Sequence, residues 1–357
     1  MLTTLRSLAN ESRAAGARLD AGCVVEMTPR HKRPVFVVGC PRSGTTLLYH
    51  MLLSSGRFLI HMRETHAFDR IGPSFGNLAA RRDRERLIDE WDSTNLANTE
   101  VNPADIRARV VNECENIGDL LKLIMETMAH DQKAARWAEK TPDHILYLHE
   151  IKRTLPDALI IHIIRDGRDV ALSLAAQKWV RAFAWDKHHD VLVCGLYWAW
   201  MIDVGRHLAS TLGSDYLEVR FEDLLSTPRV VLDEIGQFIQ QDLDYDRIRQ
   251  AGIGAVNEPN TSFDKKLNDG VFHPIDRWRS GFSAEALPRF EALVGPLLTK
   301  LGYHLATAES ELPKSLELWR LRAFYRSYFS LRRWFKSHLP LARYLMPAQL
   351  CMSSRKD

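Results

Sequence analysis

Cysteine is scarce and unpatterned: Cys23, Cys40, Cys114, Cys194 and Cys351 are odd in number and scattered, with no C-x-x-C spacing. That excludes a disulfide framework or a zinc ribbon as the organising device and fits reduced intracellular thiols. Long apolar runs are missing as well. No stretch approaches the length that spans a bilayer. Ser, Ala and Arg interrupt every apolar patch between Met1 and Arg33, which argues against a secretory leader. The expectation is a cytoplasmic protein. Repeats and low-complexity stretches are absent too. The 357 residues, 45% of them hydrophobic, therefore have to build an ordinary core in one large domain or two. The most telling absence is a single lysine. Gly39-Cys40-Pro41-Arg42-Ser43-Gly44-Thr45-Thr46 has the G-x-x-x-x-G frame of a phosphate loop, but Thr45 stands at the lysine position. In nucleotide triphosphatases that lysine reaches the β/γ-phosphates and the next Ser/Thr holds Mg²⁺. A loop without it suits a ligand that is phosphate-like but is not a triphosphate. A cation comes earlier in the loop instead, at Arg42.

Charge of one sign accumulates only near the end. From Leu318 to Asp357 nine Lys/Arg face one acid, giving +8, which leaves −5 of the total +3 to the rest. A mildly acidic body is a poor fit to nucleic acid. In the tail, Leu321, Phe324, Tyr325, Tyr328 and Phe335 approximate one helical face, and Arg322, Arg326 and Arg333 another. Such a basic amphipathic helix over residues 316–345 fits two partners: a membrane surface, touched peripherally, or the acidic body of the protein itself.

The chain alternates strand and helix signals. Pro34 to Val38 is a short β-branched run, and Thr45 to Ser54 follows as a helix, so the loop sits in the strand–turn–helix context that phosphate binding requires. Phe58-Leu59-Ile60 and Arg136-Trp137-Ala138 are short strand candidates. A helix is expected from about Asp105 to His130, another opened by Pro142, and later ones over 169–177, 191–212, 228–239 and 284–301. Ala158 to Ile164 is the clearest strand; its unbroken apolar character predicts a parallel strand buried on both faces. Tyr216 to Arg220 is a further one. This alternation indicates an α/β fold with a mainly parallel sheet. The organisation expected is a lead-in over 1–32, one domain over 33–305, and a basic extension over 306–357.

Two segments invite anions. In the loop, the amides of Ser43, Gly44, Thr45 and Thr46 converge at a helix N-terminus, with the Arg42 guanidinium and the threonine hydroxyls beside them. The second segment, Ile164-Arg165-Asp166-Gly167-Arg168-Asp169-Val170-Ala171-Leu172-Ser173, starts at the carboxyl end of the best strand, where open parallel sheets bind ligands. Arg165 and Ser173 suit a further phosphate; alternatively Arg165 simply pairs with Asp166 or Asp169.

Together these residues resemble the sulfotransferases that use 3′-phosphoadenosine 5′-phosphosulfate, and most closely the bacterial and Golgi-type branch that includes protein-tyrosine and glycan sulfotransferases. Pro41 to Thr46 is similar to their 5′-phosphosulfate loop, and Arg165 through Ser173 to their 3′-phosphate motif. Glu139-Lys140-Thr141-Pro142, Val219 to Leu224 and Arg277-Trp278-Arg279 support the likeness, which runs from about residue 33 to 303. It implies a P-loop NTPase-like three-layer sandwich, the phosphosulfate donor, no required metal, and an acceptor hydroxyl on a glycan, a glycolipid or another alcohol or phenol. It also implies roles. Glu64, in Arg63-Glu64-Thr65-His66, would be the base, with His66 as its competitor and an Arg63 ion pair as the plain alternative. Lys140 and Arg42 would stabilise the leaving group. Arg42, Ser43, Gly44, Thr45, Thr46, Arg165, Ser173 and Phe221 would hold the donor. Phe221 replaces a tyrosine common in relatives, so a hydroxyl contact is lost there. Trp179, Trp185, His188 and His189 fit either an acceptor pocket or an ordinary loop with core tryptophans. No carboxylate–histidine cluster has convincing metal spacing along the chain. Two other readings compete: a P-loop kinase-like phosphotransferase, which Thr45 opposes, and a non-catalytic nucleotide- or glycan-binding module at a membrane, which Glu64 together with Lys140 opposes.

Overall fold

The computed structural model describes residues 28–75, 78–257 and 274–338. Most of the expected lead-in and the last part of the basic extension lie outside them. Four parallel strands form the central sheet: β1 (Val35–Val38), β2 (Ala138–Glu139), β3 (Leu159–Ile164) and β4 (Tyr216–Arg220), in the order β2-β1-β3-β4. Side-chain alternation splits β1 between two cores. Val35 and Val37 pack with Leu48 and Leu52 of α1 (Thr45–Ser54) and with Leu232 and Ile235. Phe36 and Val38 pack on the opposite face with the helices between β1 and β2 and with those after β3. Both faces are covered, so β1 is apolar throughout and β3 apolar apart from His162. The alternation predicted this α/β fold with a parallel sheet, and the family resemblance its three layers.

Three local expectations change. The helix expected over Asp105–His130 is two, α2 (Pro103–Glu113) and α3 (Ile117–Asp131). Asn116 breaks the run: its side chain accepts the Asp119 amide, and Asp119 returns the bond to the Asn116 amide. That reciprocal capping starts a new helix where apolar spacing alone suggests continuity. The Phe58 strand reduces to a single bridge with Arg136, and the next strand begins at Ala138 rather than Arg136.

After β3 come α4 (Gly167–Ala176) and the long α5 (Asp190–Ala209), followed near the end by α6 (Ala286–Lys300) and α7 (Leu316–His338). Leu318, Leu321, Tyr325 and Phe329 bury one face of α7 in the core that α5 and α6 share. Tyr325 lies on that face, but Phe324, expected with it, is 45% exposed. No helix among the described residues is long and apolar enough to cross a membrane.

Candidate active site

The phosphate loop and the second motif meet because β1 and β3 are neighbours and end together. Val38 pairs with His162, so the loop after β1 faces the turn after β3. The loop is tightly built. Gly44 caps α1 with φ 95°, and a Cβ there would overlap the Phe221 ring, so both the conformation and the space demand glycine. Arg42 also takes a positive φ, 75°. The first-turn amides of α1 have no intrahelical partner, and Ser43 Oγ, fully buried, has none either. The Ser43 amide, expected to face the anion, is given to the Cys40 carbonyl at 3.1 Å, so the donors the loop presents are the first-turn amides of α1.

Arg42 Nε donates to Ser173 Oγ at 3.1 Å, and its guanidinium lies 5.1 Å from the Trp179 ring centre. Arg165 donates to the Arg42 carbonyl at 3.1 Å and to the Pro274 carbonyl at 2.5 Å, and sits 4.8 Å over Phe221. Its Nε is buried without a partner. Arg42 and Ser173, which the sequence assigns to opposite ends of a donor, are thus in direct contact. A cleft of about 500 Å³ opens here, lined among others by Arg42, Gly44, Thr45, Thr46, Arg165 and Phe221, with Tyr245, Arg249 and Arg277 further along.

Glu64 and Lys140 are not in that lining. They meet each other beside it. Lys140 Nζ donates to Glu64 Oε1 at 2.7 Å; the lysine side chain is 6% exposed and the glutamate 34%. The charge of Lys140 is also felt at His50 of α1. Burial, and then the Lys140 charge, push that imidazole down to about 4. His50 Nδ1 accepts the amide of Ala255, a residue of the cleft wall, at 2.8 Å. Two residues on from Lys140, the Pro142 carbonyl accepts the amide of Gly39 at 3.4 Å, so the ion pair stands on a segment tied to the start of the phosphate loop. Glu64 is partnered by Lys140 and His66.

His66 Nε2 lies 3.3 Å from Glu64 Oε2, and its Nδ1 lies 3.0 Å from Asp69 Oδ2. Burial opposes a charged ring, but Asp69 and Glu64 prevail and raise His66 to about 9. Burial likewise pushes Glu64 up, but Lys140 and His66 outweigh it and hold the carboxyl at about 2. Behind Asp69 comes His144, whose Nε2 is 3.5 Å from Asp69 Oδ1 and whose Nδ1 is 2.9 Å from Glu139 Oε2. Glu139 Oε1 accepts the hydroxyls of Thr65 at 2.9 Å and Thr141 at 2.5 Å. Sequence reasoning missed Asp69, His144 and Glu139 as members of this cluster. The only local signal was an acid three residues after His66.

Within the second motif, Arg168 is structural. It grips Asp166 through Nε at 3.0 Å and Nη2 at 2.7 Å, and Glu291 of α6 through Nη1 at 2.7 Å. The aromatic candidates divide. Trp179 sits under Arg42, whereas Trp185, His188 and His189 line a separate groove against α7. There the fold brings His188, His189 and Glu317 ligand atoms within 4.8 Å, a cluster invisible along the chain. Arg289 already donates to both His189 Nε2 and Glu317.

The model of the sulfotransferase family matches residues 34–245. The chain is 25% identical to protein-tyrosine sulfotransferase A of Caenorhabditis elegans, over 75% of this chain and 67% of that one. It is 24% identical to a putative protein-tyrosine sulfotransferase of Caenorhabditis briggsae, over 84% of this chain and all of that one. Among solved structures, a sulfotransferase domain from the curacin biosynthetic pathway overlays with a TM-score of 0.49 at 16% identity, covering 77% of this chain and 99% of that one.

Proposed function

The chain belongs to the sulfotransferase family, and on that premise we propose that it moves a sulfuryl group from 3′-phosphoadenosine 5′-phosphosulfate to an acceptor hydroxyl. The observation that carries this reading is the Glu64–Lys140 ion pair, set on a segment tied to the start of the phosphate loop. The first-turn amides, Thr45 and Thr46 suit the phosphosulfate; Arg165 and the Phe221 face suit the rest of the nucleotide, with Ser43 and Ser173 buried behind that wall and Ser173 bonded to Arg42. Glu64 takes the proton of the acceptor hydroxyl as its oxygen attacks sulfur. The new O–S bond forms while the bond from sulfur to the 5′-phosphate oxygen breaks, and its electron pair stays on the departing 3′,5′-bisphosphate. Lys140, with Arg42, neutralises that oxygen. Lys140 cannot serve the leaving group while it is held at Glu64. Its departure also frees Glu64 Oε1 and removes the strongest influence keeping that carboxyl weakly basic.

Incubation with donor labelled in the sulfuryl group, against tyrosine-containing peptide, glycan and glycolipid acceptors, tests the reaction. Label in any acceptor supports it; label in none, with donor intact, sinks it. The bisphosphate product alone is expected to stabilise the fold by about 2.7 kcal/mol at about 100 times its dissociation constant. Absence of any shift in thermal melting would remove the donor assignment. A kinase-like enzyme would instead be stabilised by Mg·ATP.

The outer face of α7 favours peripheral membrane contact. Leu316, Trp319, Phe324, Leu331 and Trp334 are exposed there while the opposite face is packed into the core, and Trp185 adds to the same side. Arg320 is exposed among them. Apolar side chains with tryptophan and cations suit an anionic lipid surface. The protein is expected to sediment with phosphatidylcholine vesicles containing phosphatidylglycerol and not with phosphatidylcholine alone. Trp319→Glu with Trp334→Glu is expected to abolish this; unchanged sedimentation of that variant would reject the surface.

A further inference from the structure

Glu64 rests on a line of alternating buried charges that the transfer chemistry itself does not require: Glu64, His66, Asp69, His144 and Glu139, joined at 3.3, 3.0, 3.5 and 2.9 Å. We propose that His66 is the positioning residue for Glu64, with the Asp69–His144–Glu139 chain behind it holding the ring as an imidazolium. This rests on Glu64 being the base.

Both ring nitrogens of His66 face carboxylates, so each can donate only if the ring carries two protons. A neutral ring would turn a lone pair toward either Glu64 or Asp69, one anion against another acceptor. Asp69 is 2% exposed, and burying a charge is tolerated only when it is paired. Its partners are His66 on one side, His144 on the other, and the Arg70 guanidinium at 3.7 Å. His144, fully buried, lies between Asp69 and Glu139, and its Nε2 also faces the Phe68 amide at 3.3 Å. Removing a proton from His66 leaves a lone pair facing a carboxylate.

From its own segment His66 faces Glu64, Asp69 and Arg70, and Arg70 opposes its charge. The 138–147 segment contributes Glu139, Lys140, His144 and Asp143, the last a buried carboxyl raised to about 6 first by burial and then by Asp69. From α7 comes Lys336, which attracts both Asp69 and Asp143. Arg333, one turn earlier, donates to the Leu146 carbonyl at 2.6 Å and seats that end of the helix behind the site. The C-terminal helix thus supplies a cation to the same buried cluster.

The consequence for chemistry is geometric. Lys140 holds Oε1 of Glu64 and His66 holds Oε2. When Lys140 goes to the leaving oxygen, the carboxylate stays aimed, because the imidazolium still grips the other oxygen. Oε1 is then the one free to accept the hydroxyl proton. His66 is excluded as a second base, since both its nitrogens already carry protons.

Two-bond ¹H–¹⁵N spectra of the full chain labelled with ¹⁵N-histidine test this without donor or acceptor, with His66→Gln identifying the His66 signals. His66 is expected to be doubly protonated at neutral pH and to titrate near 9. Asp69→Asn is expected to lower that midpoint by about 1–3 pH units, and Glu64→Gln to lower it as well. A His66 that is neutral at neutral pH in the wild-type protein overturns the proposal, and so does a midpoint unmoved by Asp69→Asn in a variant whose other histidine signals are unchanged. In turnover with the acceptor labelled in the panel above, the wild-type rate is expected to fall on an alkaline limb near pH 9. His66→Gln keeps a donor that does not titrate, so it is expected to lose that limb while retaining activity that His66→Ala does not. Persistence of the limb in His66→Gln would refute the positioning role. A normal titration in a protein that labels no acceptor would refute the transfer reading and not the charged chain.

Discussion

Glu64→Gln is expected to lower the rate of sulfuryl transfer by about 10²–10⁴-fold, the range typical for removing a general base. The amide keeps the shape and the hydrogen bond to Lys140 but cannot take a proton. Binding of the bisphosphate should be nearly untouched, because Glu64 is absent from the wall of the donor cleft. The loss is therefore expected in kcat, with the same thermal shift on adding bisphosphate as in the wild-type protein. That split distinguishes catalysis from collapse of the site. It also separates Glu64 from His66: were the imidazole the base, Glu64→Gln would free its Nε2 from an anionic neighbour and leave most of the rate. A Gln variant with more than about a tenth of wild-type turnover would end the case for Glu64. Lys140→Ala is a useful companion, since it removes leaving-group stabilisation while making Glu64 more basic, two effects of opposite sign on the rate.

How much of this site is readable along the chain depends on how local its physics is. The phosphate loop is readable because it needs consecutive residues: a glycine where Gly44 takes φ 95°, hydroxyls next to it, and a helix start. Arg165 is readable because strand ends are where parallel sheets bind ligands, and β3 is apolar enough to locate. Glu64 and Lys140 stand out in short motifs, yet their 2.7 Å contact joins positions 76 apart, and nothing local announces it. The line through Asp69, His144 and Glu139 is less legible still. Each of those residues would pass for a surface polar group in sequence, and only the fold shows them buried and paired. The break at Asn116 was readable in principle, as an Asn-x-x-Asp cap, but apolar spacing on both sides outweighed it. On α7, helical spacing identifies a face without fixing which edge is covered. Tyr325 is buried and its neighbour Phe324 is not, because the helix docks on a row through Leu318, Leu321, Tyr325 and Phe329.

Arg168→Met should show the largest loss of stability, about 3–5 kcal/mol, as expected when one partner of a buried ion cluster is removed. The guanidinium is 2% exposed. It holds Asp166 bidentately, donates to Glu291 and to the His304 carbonyl, and stacks 3.8 Å over the Trp278 ring. Methionine retains much of the packing and none of the charge, leaving Asp166 and Glu291 buried without their cation. Glu291, fully buried, would keep only the Ala306 and Thr307 amides. Adding Glu291→Gln should therefore restore part of the loss, since it removes one of the two stranded charges, and the coupling between the sites should be well above the few tenths of a kcal/mol of independent positions. Urea unfolding of both variants and the double variant reads this directly. Arg165→Ala is the contrast within the same motif. Arg165 lies at the cleft with a buried Nε that has no partner, so its loss should weaken bisphosphate binding; it also pairs with buried Asp169 at 3.5 Å, so some stability is expected to go with it. If Arg168→Met unfolded at the wild-type urea concentration, the motif's second arginine would lose its structural role. If Arg165→Ala bound bisphosphate at wild-type affinity, its first arginine would lose its place at the donor.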